Sequence, residues 1–140
     1  MLDGPLGQFI LAERKADKLL FIAGGSGITP LRAMMEAWAQ QGKSSILLYA
    51  NKTSVDIMLK KEVDQFTADG KAQVIHVLGN KETGYLQGYI DQPFLQHNVP
   101  DLLERDVFLC GPKPMMKAVG TALLNLGLPK KRIHMEEFSL

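Results

Sequence analysis

Apolar runs of strand length punctuate this chain, and most of them feed into segments with helical spacing. The runs are Leu19–Ala23, Ser45–Ala50, Gln73–Leu78 and Asp106–Cys110. They are nearly continuous in apolar character, which suits strands of a parallel sheet buried on both faces. Leu31, Met34, Met35 and Trp38 recur at helical intervals after the first run. Val55, Leu59, Val63 and Phe66 line one face of an expected helix over Val55–Thr67, after the second. Met115, Met116, Val119, Leu123 and Leu126 do the same after the fourth. Gly42, Asp69-Gly70 and Gly127 stop these helices. Arg132–Met135 reads as a fifth, short strand. Residues 79–103 are less regular: a short helix over Tyr89–Gln96, despite Pro93, and a helical turn over Pro100–Glu104. Strands alternating with helices imply an α/β fold, an open doubly wound parallel sheet of about five strands with helices on both faces. The expected order is 3-2-1-4-5, Rossmann-like, with a ligand crevice at the carboxyl ends of the strands where the order reverses.

Composition narrows the function classes. The 140 residues suit one domain, and 46% hydrophobic with 22% charged residues is ordinary globular usage. A net charge of +1 gives no broad footprint for nucleic acid. No apolar run approaches the length of a membrane span. Met1-Leu2-Asp3-Gly4-Pro5 lacks the basic and apolar regions of a signal peptide, and Cys110 is the chain's one cysteine, so no internal disulfide forms. These features point to a cytoplasmic setting. No histidine has a partner at metal-ligand spacing: His76 lies in an apolar strand, and His97 and His134 stand apart. Lys60-Lys61 and Lys130-Lys131-Arg132 read as solvated surface.

The first strand runs into Gly24-Gly25-Ser26-Gly27-Ile28-Thr29-Pro30. Three glycines within four residues allow a tight turn, Thr29 suits a helix N-cap, and Pro30 suits the first helical position. Unpaired amides at a positive helix end form a site for an anion such as a pyrophosphate. No Gly-Lys-Ser/Thr follows, so this is no nucleoside triphosphatase loop, and proline replaces the third glycine of the usual dinucleotide fingerprint. The fourth strand ends in Cys110-Gly111-Pro112-Lys113-Pro114-Met115. In the expected topology both loops flank one crevice.

The ordered pair of motifs resembles the ferredoxin–NADP reductase superfamily, with its Gly-Gly-x-Gly-Ile-x-Pro and Cys-Gly-Pro-x-Pro-Met signatures. The resemblance covers the pyridine-nucleotide domain, residues 13–140. It is closest in pattern to the NADH-using, cytochrome b5 reductase-like branch. The family's flavin domain lies N-terminal to this one, and its Arg-x-Tyr-Ser motif is not found here. Residues 1–12, with Gly4-Pro5-Leu6-Gly7-Gln8-Phe9, look like the tail of such a domain or a linker.

The resemblance implies site roles. Gly25, Ser26 and Gly27 let the pyrophosphate approach the backbone, with Gly24, Ile28 and Pro30 completing that motif. Thr29 sits near the nicotinamide and flavin rings. Cys110 lies beside the nicotinamide carbon that gives up hydride, and Gly111, Pro112, Pro114 and Met115 shape that pocket. Phe138 falls near a C-terminal aromatic that the family keeps against the flavin. Glu136 is a lesser candidate for the nicotinamide site, since it and Glu137, adjacent on a strand, point to opposite faces. Asn51, Lys52 and Asp56 follow the second strand, where a ribose is held. One aspartate and no arginine in this segment favour NADH, and Lys52 keeps NADPH open.

Hydride transfer needs donor and acceptor held close with water excluded, not a strong acid or base, so the lack of paired carboxylates fits. The function this implies is an NAD(P)H-binding domain presenting nicotinamide to FAD on a separate or deleted flavin-binding domain, in cis or in trans. An iron–sulfur or heme protein would accept the electrons downstream. Alone, such a chain should lack turnover. The alternatives are a non-catalytic nucleotide-binding module or regulatory subunit docking on a flavoprotein and, more remotely, a flavodoxin-like carrier.

Overall fold

The computed structural model describes residues 16–135. The expected tail over 1–12, and Glu136, Glu137 and Phe138, lie outside the described residues. Six strands form one sheet: β1 Lys18–Gly24, β2 Ser45–Asn51, β3 Ala72–Leu78, β4 Leu86–Gln87, β5 Arg105–Cys110 and β6 Ile133–Met135. Four helices join them: α1 Ile28–Gln40, α2 Lys60–Ala68, α3 Gln92–Asn98 and α4 Lys113–Asn125. The strand order is β4-β3-β2-β1-β5-β6, with every pair parallel.

The five expected strands stand in the expected order, and β4 extends the edge beside β3. With two exposed residues, β4 carries no periodic signal for a reader of sequence. Its pairing of Leu86 and Gln87 with Val77 and Leu78 is a product of the sheet.

The strand alternation sorts side chains onto two faces. Leu19, Phe21 and Ala23 of β1 face α1 and α2, packing with Leu31, Met34, Trp38, Val63 and Phe66. Leu20 and Ile22 face the other side, with Leu95 after Asp91 and Met116, Val119 and Leu123 of α4. Both faces of β1 are therefore sealed, which is why its run is apolar without alternation.

Two local expectations are corrected. Thr29 is not an N-cap: α1 starts at Ile28 with Gly27 before it, because a 3-10 turn over Gly25–Gly27 feeds straight into the helix. Thr29 and Pro30 thus lie in the first turn, where the proline's missing N–H still costs no intrahelical bond. The helix expected from Val55 begins only at Lys60. Thr53 and Asp56 close a capping box around a separate 3-10 turn, Ser54–Asp56, and Leu59 adopts a left-handed φ of 57° that breaks the chain's helical run. Val55, expected on the same helical face as Val63 and Phe66, is 92% exposed.

α3 begins after Asp91, whose side chain accepts the Phe94 N–H at 3.0 Å. Pro93 falls in its first turn, where proline is tolerated. The strand histidines are paired: His76 Nε2 lies 2.8 Å from Asp64, and His134 Nε2 lies 2.8 Å from Asp106. Among the described residues no cluster could hold a metal, and no described helix is long and apolar enough to cross a membrane.

Candidate functional site

The strand order reverses between β1 and β5, so the crevice of this sheet opens at their carboxyl ends. The Gly-rich turn leaves β1 there, and Cys110-Gly111-Pro112 leaves β5. Ala23 and Cys110 are register partners, so the two loops emerge side by side. They touch through backbone: a Cβ on Gly27 would collide with the carbonyl of Cys110. Met115 folds its thioether over Gly24 and Gly111, filling the space where a Cβ on Gly24 would stand. Gly25 instead adopts φ +54° with open space around its Cβ position. Its glycine is required by backbone conformation, and the open side admits a ligand.

A cleft of about 690 Å³ runs from this seam across the ends of β2 and β3. Of the residues singled out from sequence, Gly24, Gly25, Asn51, Lys52, Asp56, Pro112, Pro114 and Met115 line it. Ser26 and Thr29 are exposed beside it. Gly27 is buried against the Cys110 loop, and Gly111 is partly buried. Cys110 is 2% exposed and Ile28 fully buried in the core under α1; Pro30 is also buried.

The sequence reading missed the far wall. Gly79, Asn80, Gly88, Tyr89 and Ile90 line the cleft as well, and Tyr89 is 79% exposed. Gly79 and Asn80 directly follow β3, so the rule that ligands sit at strand carboxyl ends could have found them. Tyr89 had no such signal. It is brought in just after β4, where the Gly88 N–H donates to the Leu78 carbonyl at 2.9 Å.

Tyr49 ties the two ends of the site together. It is fully buried, and its hydroxyl donates to the Met58 carbonyl at 2.9 Å and accepts the Met58 N–H at 3.0 Å. The Gly25 carbonyl, at 3.4 Å, is a second acceptor. Burial pushes the phenol pKa up, so it stays a protonated donor at neutral pH. Tyr49→Phe should cost about 1 kcal/mol by removing the hydroxyl's hydrogen bonds to the part-buried Met58 and Gly25 backbone. Thermal denaturation checks this, and a titration with NADH should show weaker binding as the Asp56 loop loosens.

The donor set suits an elongated anionic ligand with an apolar ring system. Glycine backbone, an asparagine, a lysine and an exposed tyrosine line it together.

Comparison with known proteins decides the family. Residues 21–121 match the family model described as the oxidoreductase NAD-binding domain. The chain belongs to this family. Its members include the nucleotide-binding halves that the paired glycine and cysteine motifs resemble. The chain is 32% identical over 148 residues to the glycine betaine monooxygenase reductase subunit of Chromohalobacter salexigens, covering 99% of this chain and 40% of that protein. It is 32% identical over 146 residues to NADH-cytochrome b5 reductase 1 of Cryptococcus neoformans, covering 94% of this chain and 50% of that one. The chain therefore spans between two fifths and half the length of these relatives. Among solved structures, it resembles the flavohem-like FAD/NAD binding domain of nitric oxide dioxygenase from Vibrio cholerae. The TM-score is 0.80 at 30% identity, covering 89% of this chain and 52% of that one. The glycine seam and cleft of this NAD-binding domain lie at the carboxyl ends of its strands, where open α/β sheets take ligands.

Proposed function

We propose that this chain binds NADH and presents its nicotinamide to a flavin carried by a second domain, in cis or in trans. The observation that supports this most is the backbone seam of Gly27 against Cys110 at the switch point of the sheet. It holds the turn that receives a pyrophosphate against the loop that receives a nicotinamide. When bound, NADH supplies the hydride.

The chain's own residues bind, orient and exclude water. Gly24, Gly25, Ser26 and Gly27 carry the pyrophosphate on backbone amides at the start of α1. Gly111 borders the nicotinamide, and Cys110, packed in the core behind it, supports that wall from beneath. Pro112, Pro114 and Met115 close the pocket from the α4 side, and Thr29 borders the flavin. Asn51, Lys52 and Asp56 hold the adenosine ribose.

The names of the relatives fit a reductase that feeds an oxygenase, heme or iron–sulfur partner with electrons from NADH. This chain supplies the nucleotide half of that path.

The test is a calorimetric titration with NADH, followed by mixing the chain with NADH, FAD and a dye acceptor. Binding without turnover is expected. A flavin-binding domain added from a reductase of this family should restore dye reduction. Robust turnover with free FAD alone, or no binding of either nicotinamide nucleotide, would overturn the reading.

A further inference from the structure

At one end of the cleft the loops after β2 and β3 run side by side. The N–H groups of Gly79 and Asn80 donate to the carbonyls of Asn51 and Lys52, each at 2.9 Å. Just beyond, Glu82 lies on Ser54. One carboxylate oxygen accepts the Ser54 N–H at 2.8 Å, and the other accepts the Ser54 hydroxyl at 2.6 Å. An amide and a hydroxyl offered together are donors a phosphate takes readily. Here a carboxylate of the chain itself has taken them. Asp56 adds a second negative charge, accepting from the Thr53 N–H at 3.1 Å and hydroxyl at 2.8 Å. The cation among the cleft-lining residues is Lys52.

In sheets of this kind the ribose of a bound dinucleotide lies past the second strand, where an acid suits a free 2′-hydroxyl and an arginine suits a 2′-phosphate. We propose that Glu82 is a specificity-determining residue of this site: its carboxylate occupies the Ser54 donors and turns away the 2′-phosphate of NADPH. The inference rests on the dinucleotide reading above. Two effects act together. A 2′-phosphate finds the donors engaged, and it meets negative charge at Glu82 and Asp56, with Lys52 as the cation among the cleft-lining residues. The hydrogen bonds from the Ser54 side chain and backbone hold the Glu82 carboxyl below the usual carboxylate range, so the charge is present at neutral pH. Glu82 is not on the loop where the sequence pattern points; the fold brings it across from the segment between β3 and β4.

The test titrates the full chain with NADH and with NADPH at low salt. Glu82→Gln keeps the side chain's length and an acceptor for Ser54 while removing the charge. NADPH should then tighten relative to NADH by on the order of tenfold, the scale of one partly screened charge pair. An unchanged ratio of the two affinities overturns the proposal. Should Glu82→Gln fail to fold, a salt series on the parent chain decides. Repulsion is screened by salt, so the preference for NADH should narrow as ionic strength rises. A preference that holds or widens overturns the proposal. Failure of the parent chain to bind either nucleotide removes the dinucleotide reading itself and this inference with it.

Discussion

Replacing Gly27 by alanine is expected to cost about 3 kcal/mol and lower the melting temperature by roughly 10 °C. The added methyl would meet the backbone carbonyl of Cys110, and the Gly111 amide lies near it. Backbone at a strand end cannot rotate away as a side chain can. Either the Gly-rich turn or the Cys110 loop must move, and each is anchored to the centre of the sheet by β1 or β5. NADH binding should weaken by roughly tenfold or more, the equivalent of about 1.4 kcal/mol. Gly25→Ala is the informative partner, because its Cβ would meet nothing within 4 Å. That variant carries only the strain of a left-handed backbone, about 1 kcal/mol. Thermal melts and titrations of the two variants check the contrast. A Gly27→Ala protein indistinguishable from its parent would show that the seam does not hold the site.

Phe108→Ala should be the larger loss of stability, about 3–5 kcal/mol. Phe108 is 1% exposed on β5. Its ring stacks on Phe21 of β1 at 5.6 Å and on His134 of β6 at 4.5 Å between centroids. These three residues are register partners across neighbouring strands, so the rings form a ladder over half of the sheet. Removing the middle rung opens a cavity and breaks both stacks, which themselves contribute about 0.5–1.5 kcal/mol each. The strand β6 has β5 as its one sheet neighbour, so its amides should lose protection first. Hydrogen exchange reads this directly. Exchange spread evenly over all six strands would argue against the ladder as the tie that holds β6.

Much of the fold was legible because burial on both faces writes itself into composition. Leu19–Ala23 and Asp106–Cys110 are apolar at nearly every position because each successive side chain meets a helix on one face or the other. The start of α2 was not legible. Val55, Leu59, Val63 and Phe66 keep a helical interval, yet the chain breaks at Leu59. The capping box of Thr53 with Asp56 closes a separate 3-10 turn over Ser54–Asp56, and the left-handed φ of Leu59 divides that turn from α2. Periodicity counts side chains and does not see where backbone hydrogen bonds go.

The candidate site divides in the same way. Gly24, Gly25 and Gly27 announced a close approach of backbone to something, since glycine's lack of Cβ is a chemical fact readable in one dimension. The motif could not say that, for Gly27, the nearest partner is the Cys110 carbonyl rather than a ligand. Tyr89 and Glu82 carry no motif at all.

The residues alone determined a parallel α/β sheet and the two loops at its carboxyl edge. These follow from local rules: which side chains shun water, which backbones can turn, and which crossover hand is allowed. Only the tertiary structure decided the far wall of the cleft, the added edge strand and the carboxylate resting on Ser54. Those depend on segments distant in sequence reaching the same point in space, and neither spacing nor composition encodes that meeting.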